Sequence, residues 1–165
     1  MTTQASTTTD VRFKVSGRIA RPVDEVFEAV VDPDRLSRYF TTGGAKGRLE
    51  TGATVEWDFA DFPGAFPVRV VEVEKNRRIV LRWGAADGTP PDDDSDPIGA
   101  YTTVTMEFEA LEDGRTLVTI AEEGWQPTDG GRQASYGNCE GWTGMLLALK
   151  MWLEHGLHIR EGMYK

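Results

Sequence analysis

Cysteine, histidine, positive charge and long apolar runs are all scarce in this chain, and each scarcity removes a class of function. The one cysteine, Cys139, cannot form an intramolecular disulfide, and points to a reducing, cytoplasmic setting. No apolar run approaches the roughly 20 residues that a bilayer span needs. The stretch from Met1 to Asp10 has neither the basic nor the apolar region of a signal peptide. Lys and Arg number 18 against 27 Asp and Glu, a formal net charge of −9. With no basic stripe to offset that charge locally, a phosphate backbone is repelled, and nucleic acid is excluded as a partner.

Bulk aromatic content is plentiful: five Trp, seven Phe and four Tyr. An apolar share of 39% over 165 residues is enough for one domain with a substantial core. Residues 1–10 are Thr- and Ser-rich and are expected to be disordered, leaving 11–165 as a single domain.

From Val11 the pattern has period two: Val11, Phe13, Val15 and Ile19 alternate with Arg12, Lys14, Ser16 and Arg18, a half-buried strand. The period then changes. Pro22 suits a first helical position, and Val23, Val26, Phe27, Val30 and Val31 share one helix face. Asp32-Pro33 stops that helix and caps a second, with Leu36, Tyr39 and Phe40 inward. Thr41 to Gly44 reads as a loop. Strands follow around Val55 to Phe59, from Phe66 to Glu74 and from Arg78 to Trp83, with a turn at Lys75-Asn76. Tyr101 to Ala110 and Thr116 to Glu122 make a hairpin around Glu112-Asp113-Gly114. The acidic, Pro-containing stretch from Asp87 to Pro97 is a loop by composition.

After Trp125 a polar, Gly-rich stretch, including Gly130-Gly131 read as loop glycines, leads to the last helix. There Trp142, Met145, Leu146, Leu149, Trp152 and Leu153 form one stripe, and Gly156 is the C-cap. Leu147, Ala148 and Met151 extend the apolar surface to the other side, so the helix is expected to be largely surrounded. The order predicts an α+β fold: a curved antiparallel sheet of about six to seven strands wrapped around one long C-terminal helix, with two short helices after the first strand.

Several stretches carry a family resemblance: ARPVDEVFEAVVDPDRLSRYF (Ala20 to Phe40), GRLETGATVEWDF with Gly47 and Gly52, RIVLRW ending at Trp83, TTVTMEFEALEDGRTLVTIAEEGW, and GWTGMLLALKMWLEHG. Together they resemble the helix-grip (SRPBCC) superfamily of START lipid-transfer domains, birch-pollen-allergen-like proteins and polyketide cyclases. Within it, the chain is most similar to homologues of the heat-shock chaperone ATPase activator. The likeness covers about Val11 to Gly156. The loop at Asp87 to Pro97 is longer than the family usually needs. All the shared motifs concern packing and turns, so the resemblance implies a fold with an internal apolar pocket and leaves the activity open.

The aromatic set Phe40, Trp57, Phe59, Trp83, Trp125 and Trp142 is expected to line that pocket, with Met145, Leu146 and Leu149 from the last helix. The alternative is that these side chains simply fill the core. Arg69, Tyr101 and Glu122 stand on strands mixed on both faces, and any of them pointing inward would need a ligand or a counter-ion. No catalytic, metal or cofactor set emerges. His155 and His158 straddle the helix end and lack further ligands nearby. Cys139 lies far upstream of both on the same helix, too distant for a Cys–His pair. Asp92, Asp93, Asp94 and Asp96 lack the spacing of a calcium loop. The expected function is binding of a small hydrophobic or aromatic molecule. A cyclase or hydratase using the same pocket, and a chaperone-associated cofactor, are the alternatives. A homodimer and a chaperone are left open as partners, although a full co-chaperone would need a docking domain for which 165 residues leave no room.

Overall fold

The protein is described by a computed structural model over residues 10–85 and 100–165. The N-terminal segment through Thr9 and the acidic loop from Asp87 to Pro97 lie outside the described residues. The elements run β1 (Val11–Ile19), α1 (Val23–Val31), α2 (Pro33–Leu36), β2 (Gly44–Lys46), β3 (Thr54–Phe59), β4 (Phe62–Glu74), β5 (Arg78–Gly84), β6 (Tyr101–Ala110), β7 (Thr116–Trp125) and α3 (Asp129–His155). All strands join one antiparallel sheet in the order β1-β7-β6-β5-β4-β3-β2. This is the helix-grip α+β fold.

Local chemistry sets the boundaries. Asp32 ends α1 and caps α2, its carboxylate accepting from the backbone N–H groups of Asp34 and Arg35, with Pro33 in the first turn. Pro22 stands one position earlier than its sequence reading, as the N-cap of α1. Register shifts at Val11/Arg12, Trp57/Phe59 and Val70/Glu72 are the bulges that bend the sheet.

The concave face carries the period-two files read from the sequence. Val104, Met106 and Phe108 of β6, Val118 and Ile120 of β7, and Ile79 and Leu81 of β5 meet α1, α2 and α3 in one core. Against it α3 buries Trp142, Met145, Leu146, Ala148 and Leu149.

α3 differs from its sequence reading in two ways. It begins at Asp129, well before Trp142, because the Thr128 hydroxyl caps the chain by accepting from the N–H of Gly131. The Gly-rich stretch, Gly130 and Gly131 included, is therefore helical. Nor is α3 wrapped all round: Ala148 faces the core rather than the outer side, while Leu147 is 53% exposed. Two strands also differ. β4 starts at Phe62 rather than Phe66, and the loop glycine Gly44 opens the short β2. Among the described residues no helix is long and apolar enough to cross a membrane.

Leu149 is fully buried and Leu147, two positions away, is mostly in water. Leu149→Ala is expected to cost about 2–5 kcal/mol through the cavity it leaves, and Leu147→Ala no more than about 0.5 kcal/mol. Guanidinium unfolding of the two variants, compared at equal m-value, checks this; equal losses would contradict the helix orientation.

Candidate functional site

The inward file of β7 runs Thr116, Val118, Ile120 and then Glu122, a carboxylate where the pattern calls for a hydrocarbon. Glu122 is 1% exposed. Four uncharged side chains donate to it: the Thr102 hydroxyl at 2.6 Å, the Trp142 indole at 2.7 Å, the Trp83 indole at 2.9 Å, and the Asn138 amide at 2.9 and 3.2 Å to its two oxygens. Trp83 reaches Oε2 and Trp142 reaches Oε1, so the carboxylate fixes two indoles from opposite sides. Burial raises the Glu122 carboxyl above its ordinary value of 4.5, and the four donor side chains pull it back only in part.

Over this base lies an aromatic wall. Trp142 stacks between Trp83 (5.4 Å, 28°) and Phe40 (5.6 Å, 28°), and Phe59 meets Phe40 edge-on at 5.0 Å. Trp57 stands behind, edge against Phe40 and Trp83. In front of the wall is a cavity of about 420 Å³, bounded by Phe40, Phe59, Phe62, Trp83 and Trp142. The N-terminal half of α3 supplies its other side through Gly137, Asn138, Glu140 and Gly141. Gly137 and Gly141 lie one turn apart, and a Cβ on either would meet open space. These missing side chains leave room for the cavity.

The mouth is crossed by the chain's own C-terminus. Arg160 and Tyr164 line the cavity. The Arg160 guanidinium pairs with Asp61, at the turn between β3 and β4, through contacts of 2.7 and 3.4 Å, both side chains being 5% exposed. It also lies over the rings of Tyr164 (4.7 Å) and Phe59 (5.5 Å), and Lys165 sits over Phe62 (4.4 Å). The Tyr164 hydroxyl donates to the Glu140 carbonyl and fills the place a Cβ would take at Gly144.

Of the residues singled out from sequence, Phe40, Phe59, Trp83 and Trp142 line the cavity, Trp57 backs it, and Glu122 lies behind the lining, bonded to Trp83, Trp142 and Asn138. Met145, Leu146 and Leu149 sit deeper, in the packed core, because they follow Trp142 along α3 away from the mouth. Arg69 and Tyr101 alternate with the inward-facing Val68, Val70 and Thr102, and so take the outer sheet face, where Arg82 lies over the Tyr101 ring at 5.9 Å. Trp125 is also displaced from the wall. Gly124 has φ +115°, a conformation that favours glycine, and it breaks the alternation of β7. Trp125 is thereby buried against Phe13, 5.7 Å away. Sequence reasoning missed Thr102, Asn138, Gly137, Gly141, Asp61, Arg160 and Tyr164. Two of these were within reach: Thr102 continues the inward period of Val104 and Met106, and Asn138 is one helical turn before Trp142.

Among the described residues no three His, Cys, Asp or Glu side chains gather as a metal site. His155 and His158 are exposed and Cys139 is half-buried.

Comparison with known families decides the relationship. A model of the family described as Activator of Hsp90 ATPase homolog 1-like protein matches residues 20–154. The chain belongs to this family. None of the curated proteins matches it. Among solved structures, a Staphylococcus saprophyticus protein is 29% identical with TM-score 0.70, covering 92% of this chain and 96% of its own. DynU16, from the dynemicin biosynthetic locus, is 26% identical with TM-score 0.68; the match covers 89% of this chain and 48% of DynU16. The Aha1 dimer from Colwellia psychrerythraea, at 20% identity and TM-score 0.66 over 88% of this chain and 98% of its own, shares the fold.

Glu122→Gln tests the base of the site. An amide nitrogen accepts no hydrogen bond, so one of the two indole N–H groups loses its acceptor, at a cost of about 1–3 kcal/mol. A protonated Glu122 keeps an acceptor on each oxygen. Because the folded carboxyl titrates above 4.5, the native state binds the extra proton, and the contribution of Glu122 to stability is full below pH 4.5 and lost as pH rises through the raised value. The stability gap between wild type and Glu122→Gln is therefore expected to narrow with rising pH. Denaturant titrations at a series of pH values check it; a gap that widens would mean the donors outweigh burial.

Proposed function

We propose that this protein binds a small, mainly aromatic molecule in the cavity between the N-terminal half of α3 and the aromatic wall. The observation that supports this most is the room left by Gly137 and Gly141 in front of rings already locked in place. Glycine in a helix interior costs about 1 kcal/mol against alanine, so open space at two glycines one turn apart is a costly way to build a mere core. About 420 Å³ also falls within the range of roughly 300–1,000 Å³ typical of small-molecule sites.

Catalysis by the same cavity would need a side chain free to move a proton. Of the carboxylates near it, Asp61 is paired with Arg160, Glu140 is exposed, and Glu122 lies behind Trp83 and Trp142 with its oxygens already accepting from four donors. An ionised carboxylate offers about four lone-pair positions, so none is left for a substrate. Binding is thus the stronger reading, ahead of cyclase or hydratase chemistry. A chaperone role draws on the family name and on no feature of the cavity. Self-association draws on the Colwellia dimer.

A neutral acyl-naphthalene dye is expected to bind the folded protein saturably at one site, quenching emission from Trp83 and Trp142. Gly141→Leu, which places a side chain in the cavity while improving helix propensity, should weaken binding at least ten-fold with no loss of melting temperature. Dye binding that is unsaturable, or equal in the variant, would return the cavity to the status of a packing defect.

A further inference from the structure

Resting on that reading, we infer that the cavity selects an uncharged planar aromatic ligand, and that Asp61 sets this selectivity by neutralising Arg160. The ionisable side chains at the cavity are few. Arg160 is the only Lys or Arg among the described lining residues, and it faces an aromatic wall where its charge would capture a ligand carboxylate or phenolate. That charge is already paired, although the Arg160 Nε is buried without a hydrogen-bond partner among the described residues. Asp61 grips both terminal nitrogens of the guanidinium, at 2.7 and 3.4 Å, and both partners are almost wholly out of water, where an ion pair is weakly screened. Glu140, also on the lining, adds a negative group beside it. Glu122 beneath brings no cation either, since all four of its donors are uncharged. An anionic ligand would therefore leave water to meet carboxylates and a guanidinium that Asp61 already neutralises, with Lys165 over Phe62 the other cation beside the lining.

A cation meets the opposite obstacle. Two cations already stand at the cavity and would repel it: Arg160 lies over Phe59 and Tyr164, and Lys165 over Phe62. What is left for a ligand is the uncharged aromatic surface of a stack whose rings already face one another. Phe40, Trp142 and Trp83 lie within 28° of parallel in successive pairs. Opposite them, Gly137 and Gly141 flatten the helix. Both sides of that slot suit a flat, uncharged ring system.

Three probes with one skeleton separate the cases: 2-naphthamide (neutral), 2-naphthoate (anion at neutral pH) and 2-naphthylmethylammonium (cation). Titrations followed by tryptophan emission and by calorimetry should show naphthamide binding at least ten-fold tighter than either ion. Asp61→Asn releases the Arg160 charge, and naphthoate should then gain at least ten-fold on naphthamide. Should Asp61→Asn fail to fold, Glu140→Gln, on the exposed side of α3, gives a second reading: it should narrow the naphthamide-to-naphthoate ratio two- to three-fold. Wild-type protein that binds naphthoate or the ammonium probe as tightly as naphthamide overturns the inference and leaves the binding function standing. So does a ratio unchanged in a folded Asp61→Asn protein, or in Glu140→Gln. Absence of saturable binding by all three probes overturns both.

Discussion

The carboxylate of Glu122 is the constraint on which the site depends. Removed from water, it costs free energy unless its lone pairs are filled. Filling them recruits Trp83 from β5, Thr102 from β6, and Asn138 and Trp142 from α3. Sheet and helix are thereby tied at one polar point inside an otherwise apolar core. The bonds also fix which way two indoles lie, and those indoles are half of the aromatic wall. Dispersion and area burial alone would hold Trp83 and Trp142 somewhere in the interior; directional hydrogen bonds hold them in one orientation.

The architecture follows from local signals that agree with one another. Asp32-Pro33 marks the break between two helices, Gly156 closes α3 in a left-handed cap, and the period-two files of β6 and β7 place their own inner faces. The site was less legible, for physical reasons. Whether Glu122 points inward depends on its alternation with Ile120, which the sequence shows. That four donors converge on it depends on cross-strand register and on the helix extending back to Thr128, which the sequence shows only weakly. A run with Gly130, Gly131, Gly137, Gly141 and Gly144 has poor helix propensity, and tertiary contacts override it. Trp125 misled because, although the positive φ at Gly124 turns it inward, it lands beside Phe13 of β1 rather than in the wall. Asp61 and Arg160 are 99 residues apart, and no local pattern links them.

The C-terminal segment turns an open trough into a bounded cavity. Its contacts are of different kinds: an ion pair to the β3–β4 turn, cation–ring contacts to Phe59, Phe62 and Tyr164, and a hydroxyl bond to the Glu140 carbonyl. Each is modest when exposed, but Arg160 and Asp61 are buried, so breaking that pair means stranding a charge out of water. The mouth is thus held by a contact that resists partial opening.

Gly137 and Gly141 place helix cohesion and cavity capacity in opposition. Alanine at either would strengthen α3, and the same methyl group would take space from the cavity. Selection for a sturdier fold therefore runs, at these two positions, directly against selection for a larger guest. The binding volume can be retuned by one carbon at a time without disturbing the sheet, the carboxylate or the strap across the mouth.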